Sequence, residues 1–227
     1  MPSRRDIFVN NHIYHIFNKT IDRKLIFDIP EVADYFMQLL GYYRSIKTKV
    51  RYSVFRRLQQ TERQFIEKAV NIKKNFRVEI QAFCLMPNHF HLLLKQKKDD
   101  GIVRFLSDVT NALTRYHNEL YKRKGPLFLP QFRSRMIVSP EQYIHVSRYI
   151  HLNPYSAYVV NTIDELFNYP YSSLKAYIDN TNHTIADTKQ LLYHFNDDGK
   201  RYGEFVISNA QHQRTLEYVK YIDKWDK

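Results

Sequence analysis

The sequence has one cysteine, five glycines and eight prolines among its 227 residues. A single cysteine excludes an intramolecular disulfide and a cysteine-rich zinc site. Cys84 lies in the apolar run FCLM at residues 83–86, which indicates a buried side chain. With so little glycine and proline, we expect no long flexible linker.

A long hydrophobic run is also missing. No stretch of about 18 apolar residues is present, so we expect no membrane span. The first residues, MPSRR, are not followed by the apolar segment that a signal peptide needs. We therefore expect a cytoplasmic protein that does not bind membranes.

Positive charge and aromatic rings are abundant. Thirty-five Lys and Arg against 23 Asp and Glu give a formal charge of +12, which favours a polyanionic partner. Eighteen tyrosines and 15 phenylalanines add rings of the kind that stack on unpaired bases, although most rings in a protein this size belong to the core.

Hydrophobic periodicity predicts a mixed α+β fold, an antiparallel sheet with helices packed on a face. The predicted strands span 12–20, 78–86, 89–96 and 133–138, and 52–58 is either a short strand or an irregular connection. The predicted helices span 30–47, 61–73, 101–124, 140–152 and 172–178, with helical pieces at 188–195 and 213–222. We expect a first domain over residues 1–180, with a helical insertion around 59–75, and a helical, polar extension over 181–227.

The insertion helix has its own predicted start and buried face. Thr61 followed by Gln64 fits a capping box. Phe65, Ala69 and Ile72 recur at helical spacing and should share the packed face.

His89 and His91 are the most informative pair of residues. Side chains alternate along a strand, so both imidazoles face the same side, and Phe90 faces the other. Two imidazoles on a rigid strand that starts just after a turn can ligate one metal ion and leave coordination positions open for a substrate. Two unrelated surface histidines would give the same pattern, so spacing alone leaves both interpretations open.

The predicted helix over 140–152 places a tyrosine beside an amide. Tyr143, Val146 and Ile150 form its buried stripe, and Tyr149 sits next to that stripe. Tyr149 and Asn153 project together because they are one turn apart. The ring can rest on the core while its hydroxyl reaches a cleft, but a tyrosine that only lines the core edge fits equally well.

Four stretches resemble the REP-associated tyrosine transposases, which belong to the single-tyrosine HUH class. They are YHIFNK (14–19), FCLMPNHFHLLL (83–94), GPLF (125–128) and RYIHLNP (148–154), and they occur in the family's order. The resemblance covers roughly residues 10–180. It implies a ferredoxin-like HUH nuclease core and makes residues 1–180 an HUH tyrosine transposase domain.

The resemblance also implies roles for single residues. His89 and His91 become metal ligands, Asn153 completes the site, Tyr149 becomes the nucleophile, and Mg²⁺ or Mn²⁺ is the expected metal. The substrate is single-stranded or hairpin DNA, cut through a 5′-phosphotyrosine link that frees a 3′-hydroxyl. Monomer and homodimer both stay open.

The sequence departs from the family after GPLF. The family usually continues with QGRF, whereas this chain has LPQF at residues 129–132 and so lacks a basic residue there. Arg133 and Arg135 lie close by and are our candidates for contacts with the DNA backbone. Residues 49–75 are also longer than the minimal family core needs.

Two other functions compete with a DNA strand transferase. A catalytically inactive or domesticated DNA-hairpin-binding protein of the same fold would lose the candidate residues first, and all four are present. A small metallohydrolase would need a carboxylate ligand, and none stands close in sequence to His89 or His91. The sequence does not decide between a mobile element and a host role.

Overall fold

The computed structural model describes residues 7–181 and 184–222. Four strands form one antiparallel sheet in the order β2-β3-β1-β4. They are β1 (Ile13–Lys19), β2 (Val78–Met86), β3 (His89–Gln96) and β4 (Arg133–Met136). Each strand lies within two residues of the bounds that the sequence predicts.

Helices connect the strands, and further helices come after the last strand in the sequence. They are α1 (Pro30–Tyr43), α2 (Tyr52–Phe55), α3 (Gln60–Val70), α4 (Gly101–Leu120), α5 (Pro140–Ser156), α6 (Ile163–Phe167), α7 (Leu174–Ile178), α8 (Lys189–Leu192), α9 (Gly199–Ile207) and α10 (Ala210–Ile222). The order β1-α1-β2-β3-α4-β4 and the arrangement of the strands define a ferredoxin-like core. The predicted α+β class is confirmed.

The two faces of the sheet bury different side chains, because residues alternate along each strand. Phe90, Leu92 and Leu94 of β3 join the core formed with α1 and α4. Leu93 joins the second core, which includes Tyr143 and Ile150 of α5. The helices α1 and α4 thus lie on one face, as the sequence predicts, and α5 covers the other.

Helix α5 extends further than predicted. Its start is as expected, since the Ser139 hydroxyl accepts a hydrogen bond from the Gln142 amide at 3.1 Å and Pro140 is the first helical residue. The helix then continues past Leu152 to Ser156, with Pro154 inside it. Burial of the whole last turn stabilises the helix where local sequence predicts an end.

Residues 52–70 also differ from the prediction. The segment that begins at Tyr52 forms the short helix α2 rather than a strand or an irregular connection. Helix α3 begins at Gln60, where the Gln59 N-cap pairs with Glu62, one residue before the predicted start. Its packed residues are Ile66 and Val70, while Phe65 is 65% exposed, so the predicted face was wrong.

The C-terminal part packs on α5. Both α9 and α10 contact that helix, and α9 is absent from the prediction. The proposed division at residue 180 stays a prediction. Within residues 7–181 and 184–222, no helix has both the length and the apolar character needed to cross a membrane.

A buried histidine links α5 to its neighbours. His151 Nδ1 lies 2.6 Å from the hydroxyl of Tyr202 on α9, and Nε2 lies 2.7 Å from the hydroxyl of Ser173. Ser173 in turn accepts a hydrogen bond from the Phe83 amide of β2 at 3.0 Å. Burial lowers the pKa of His151 to about 3, so the ring is neutral at pH 7.

The protons of this cluster can be placed in two ways. With the proton on Nδ1, His151 donates to Tyr202, whose hydroxyl donates to Ser147 at 3.1 Å, and the Ser173 hydroxyl donates to Nε2. With the proton on Nε2, His151 donates to Ser173, which donates to the Phe83 carbonyl at 3.3 Å, and the Tyr202 hydroxyl donates to Nδ1. Every member is satisfied inside the protein, and such a network holds its elements in one relative position.

We expect Tyr202→Phe to lower the free energy of unfolding by about 1–3 kcal/mol, because it leaves a buried imidazole nitrogen without its hydrogen-bond partner. Urea unfolding followed by circular dichroism measures the change. Tyr193→Phe is the control, since that ring is 75% exposed, and should change stability by less than about 0.5 kcal/mol. Equal stability of the two variants would contradict this account.

Candidate active site

Three histidines meet on the face of the sheet that α5 covers. His89 and His91 both project from β3, with ring centroids 5.0 Å apart. His15 of β1 lies beside them, and its Nε2 is 2.9 Å from Nδ1 of His91. The sequence predicts the β3 pair but not His15, because the partner of a β1 residue depends on the register between strands distant in sequence.

Tyr149 of α5 lies directly over this cluster. Its ring meets the His91 ring edge-on at 5.6 Å and the His15 ring edge-on at 5.9 Å between centroids. Tyr149 is half-buried. The structure therefore brings together the tyrosine and the histidine pair, which are about 60 residues apart in the sequence.

The hydrogen bonds of the imidazoles determine which nitrogens keep a lone pair. His89 Nδ1 lies 2.7 Å from the side-chain oxygen of Asn88, which can only accept, so Nδ1 carries the proton and Nε2 is free of it. His91 can reach the same state by donating from Nδ1 to His15. Both ligand candidates then present Nε2, with a neighbour holding the other ring nitrogen, as metal-binding histidines usually do.

The imidazoles are neutral at pH 7. Burial, with a smaller contribution from the Lys19 ammonium, lowers the pKa of His89 to about 4. Burial and the nearby Arg135 guanidinium lower the pKa of His15 to about 4. Burial, assisted by the two other histidines and Lys19, holds the pKa of His91 well below its usual value. Neutral rings can act as ligands without first losing a proton.

Asn153 lies one turn beyond Tyr149 and is 5% exposed. Its amide nitrogen donates to the Tyr149 carbonyl at 2.8 Å and to the Ile150 carbonyl at 3.4 Å. The second contact replaces the helical bond that Pro154 cannot make. With the nitrogen held against the helix, the side-chain oxygen is the atom left to serve as a ligand.

The tyrosine hydroxyl is difficult to ionise in this environment. Burial, followed by the Glu217 carboxylate of α10, raises the pKa of Tyr149 to about 12. Gln213, also on α10, donates to the Tyr149 carbonyl at 3.2 Å. These α10 residues lie in the C-terminal extension, and no sequence pattern connects them with the tyrosine.

The arginines predicted to contact DNA stand at the open edge of the same face. Arg135 pairs with His15, and Arg133 with Phe17, in the β1–β4 ladder. Both side chains are exposed. Their charges therefore border the site on the side of β4.

The donor set fits a divalent cation with few protein ligands. No group of three or more His, Cys, Asp or Glu suited to a metal exists in the described parts of the chain. Two imidazole nitrogens and one amide oxygen would leave positions for water or phosphate oxygens, as in catalytic metal sites.

Comparison with known proteins identifies the family of this chain. The family model described as IS200-like transposases matches residues 37–153, a range that includes the His89–His91 pair, Tyr149 and Asn153. The chain belongs to the family of IS200-like transposases. None of the curated proteins matches the sequence.

Two solved structures are similar to this chain. A structure described as a REP-associated tyrosine transposase bound to a REP hairpin aligns with a TM-score of 0.54 and 13% identity, over 82% of this chain and 92% of that one. The protein thus has the fold of a REP-associated tyrosine transposase. A crystal structure from Deinococcus radiodurans R1, described as a transposase, aligns with a TM-score of 0.34 and 18% identity, over 66% and 95% of the two chains.

We expect His89 to be neutral at pH 7 with its proton on Nδ1, because Asn88 accepts a hydrogen bond there. Nitrogen chemical shifts of the ring, measured by NMR, distinguish the two neutral tautomers from the imidazolium. The resonances are assigned by their loss in His89→Gln, with exposed His12 as an internal reference. A proton on Nε2, or a charged ring at pH 7, would contradict the arrangement.

Proposed function

We propose that this protein cleaves and rejoins hairpin-forming single-stranded DNA, with Tyr149 as the nucleophile and a divalent metal held by His89, His91 and Asn153. The observation that carries the proposal is the edge contact of the Tyr149 ring with His91. It puts a hydroxyl-bearing side chain next to neutral imidazoles at a site bordered by positive charge. The solved relative described as bound to a REP hairpin supports a hairpin-bearing DNA as the substrate.

The resemblance to the tyrosine transposases implies which bonds are exchanged. The Tyr149 oxygen attacks a backbone phosphorus, a bond to the tyrosine forms, and the bond to the 3′ oxygen breaks. The 5′ phosphate stays on the tyrosine, and the released oxygen takes a proton to become a 3′-hydroxyl. Because an aryl phosphate ester conserves the bond energy, a 3′-hydroxyl of another strand end can reverse the step.

The residues of this chain prepare the reactants. A bound Mg²⁺ or Mn²⁺ would supply charge neutralisation of the phosphate. Arg133 and Arg135 would hold the neighbouring phosphates by electrostatic attraction. The hydroxyl must lose its proton as the new bond forms, and the departing 3′ oxygen gains one, so the step balances in protons.

We expect Tyr149→Phe to abolish covalent attachment to DNA, since it removes one oxygen and keeps the ring in place. The protein is incubated with Mn²⁺ and a library of hairpin-bearing oligonucleotides with randomised single-stranded flanks, and denaturing gels reveal covalent adducts. The variant should still bind the DNA with wild-type affinity.

Tyr143→Phe is a matched control on the same helix. The Tyr143 hydroxyl is buried and forms no hydrogen bond within the described residues, so its removal should leave folding and the adduct unchanged. If Tyr149→Phe formed as much adduct as the wild type, or if both variants lost the adduct, the assignment of Tyr149 as the nucleophile would be wrong.

The metal site generates a second test. His89→Ala and His91→Ala should each abolish measurable Mn²⁺ binding, monitored by electron paramagnetic resonance. His15→Ala should weaken it by about 10- to 100-fold, because His15 orients a ligand without being one. His145→Ala, an exposed position on α5, is the control. Wild-type Mn²⁺ affinity in both β3 variants would show that the ligands are elsewhere.

A further inference from the structure

A large groove lies on the other side of the sheet from the candidate active site. It has a volume of about 770 Å³ and is lined by residues of α1, α2 and α4. The helices α1 and α4 pack on the face that carries Phe90, opposite the face of the histidines. The groove is within the size range of ligand-binding pockets, about 300–1,000 Å³, but cannot be part of the catalytic centre.

Four arginines line this groove. Arg51, Arg56 and Arg57 come from α2 and its flanks, and Arg115 comes from α4. All four side chains are exposed, and none forms an ion pair within the residues that the structure describes. Glu119 is the one acidic residue in the lining. The groove therefore carries a strong positive charge that suits phosphate groups.

Tyrosine rings stand between the arginines. Tyr35 of α1 and Tyr116 of α4 stack at 3.9 Å between centroids, with an angle of 16° between their planes. The Arg56 guanidinium lies 5.3 Å from the centre of the Tyr35 ring. Tyr52 meets Tyr35 edge-on at 5.5 Å. Rings that alternate with cationic groups form the kind of platform that holds unpaired bases.

Hydrogen bonds fix the orientation of these rings. The Tyr116 hydroxyl donates to Glu31 at 2.7 Å, and the Tyr52 hydroxyl donates to Gln38 at 2.9 Å. Their hydroxyl groups are thus engaged within the protein. Tyr35 and Tyr52 are buried, so the part of the Tyr116 ring that Tyr35 leaves uncovered is what the groove offers to a ligand. Tyr116 is half-buried, so part of its ring is accessible from the groove.

The segment that supplies three of the arginines is an addition to the core. Arg51, Arg56 and Arg57 lie in residues 49–75, which a ferredoxin-like βαββαβ unit does not require between its first helix and second strand. The same segment contributes Tyr52. The positive groove exists because this segment packs against α1, next to the α4 residues that complete the lining.

We propose that this groove binds an unpaired stretch of the DNA substrate, with bases stacked on Tyr116 and phosphates held by Arg51, Arg56, Arg57 and Arg115. The proposal rests on the proposed function for the identity of the nucleic acid, and it needs no catalysis by Tyr149. Because the groove and the catalytic residues lie on opposite faces of the sheet, one strand would pass around the protein to occupy both.

The test measures binding of fluorescein-labelled oligodeoxythymidine by fluorescence anisotropy over a range of salt concentrations. All proteins are full-length and carry Tyr149→Phe, so binding is measured without cleavage. Arg56→Gln with Arg115→Gln should reduce the slope of log affinity against log salt by about 1.4, at roughly 0.7 for each phosphate that the protein no longer neutralises. Tyr116→Leu should weaken binding by about 10-fold, because the bases can no longer stack on the ring.

Arg104→Gln with Arg201→Gln is the matched control, since it removes the same charge from exposed positions outside the groove. Circular dichroism and melting temperatures check that each variant is folded. If Tyr116→Leu unfolds, the Arg56→Gln, Arg115→Gln variant still tests the proposal. Unchanged binding by the groove variants, or an equal reduction in the control, would overturn the proposal. The same variants are also tested with labelled oligouridine. If they lost affinity for oligouridine but bound oligodeoxythymidine like the parent protein, the proposal would be overturned and the groove would be assigned to RNA.

Photo-crosslinking identifies the bound surface directly. A 4-thiothymidine strand should crosslink to the peptide that contains Tyr116, and crosslinks confined to α5 and β4 would contradict the groove. The covalent adduct of wild-type protein is measured separately. If the wild-type protein forms no adduct while the groove substitutions still weaken DNA binding, the proposed function is refuted and the groove proposal stands.

Discussion

The position of α5 on the sheet depends on hydrogen bonds to one buried imidazole. His151 reaches α9 through Tyr202 and reaches β2 through Ser173, which is itself bonded to the Phe83 amide. Tyr149 and Asn153 lie two residues before and two residues after it. The same bonds that hold the helix therefore determine where the tyrosine ring meets the histidines of the sheet.

Burial and the neighbouring charges act in the same direction at this site. Burial keeps the imidazoles neutral and raises the pKa of the Tyr149 hydroxyl to about 12, so both are in their uncharged forms at pH 7. Uncharged imidazoles suit metal binding, but an uncharged phenol is a weak nucleophile. In the proposed chemistry, a divalent cation held near the imidazoles would favour the phenolate, so the nucleophile would form only once the metal is bound.

Local patterns predicted much of the relative placement of the candidate residues because the key pairs are local. Alternation along a strand puts His89 and His91 on one face, and one helical turn separates Tyr149 from Asn153. The contact of His15 with His91 could not be predicted from local patterns, since it depends on how β1 pairs with β3. The contact of Gln213 with Tyr149 likewise joins α10 to a helix more than 50 residues earlier.

The errors in the predicted fold also arise from contacts between elements that are distant in the sequence. Pro154 suggests a helix end when read locally, but burial of the last turn and the Asn153 amide sustain the helix beyond it. Phe65 looks like a core residue by its type, yet α3 turns Ile66 and Val70 inward because of how it packs. In each case tertiary contacts outweigh a local preference, which for a proline inside a helix is about 3 kcal/mol.

The central claim is that Tyr149 forms a covalent bond with DNA, and tandem mass spectrometry of the trapped complex tests it most directly. Trypsin cleaves after Arg148, and the resulting peptide also contains Tyr155, Tyr158, Tyr169 and Tyr171, so fragment ions must identify the modified residue. The account predicts a nucleotide phosphate on Tyr149. A nucleotide on any other tyrosine, or a cleaved strand with no covalent adduct, would contradict it.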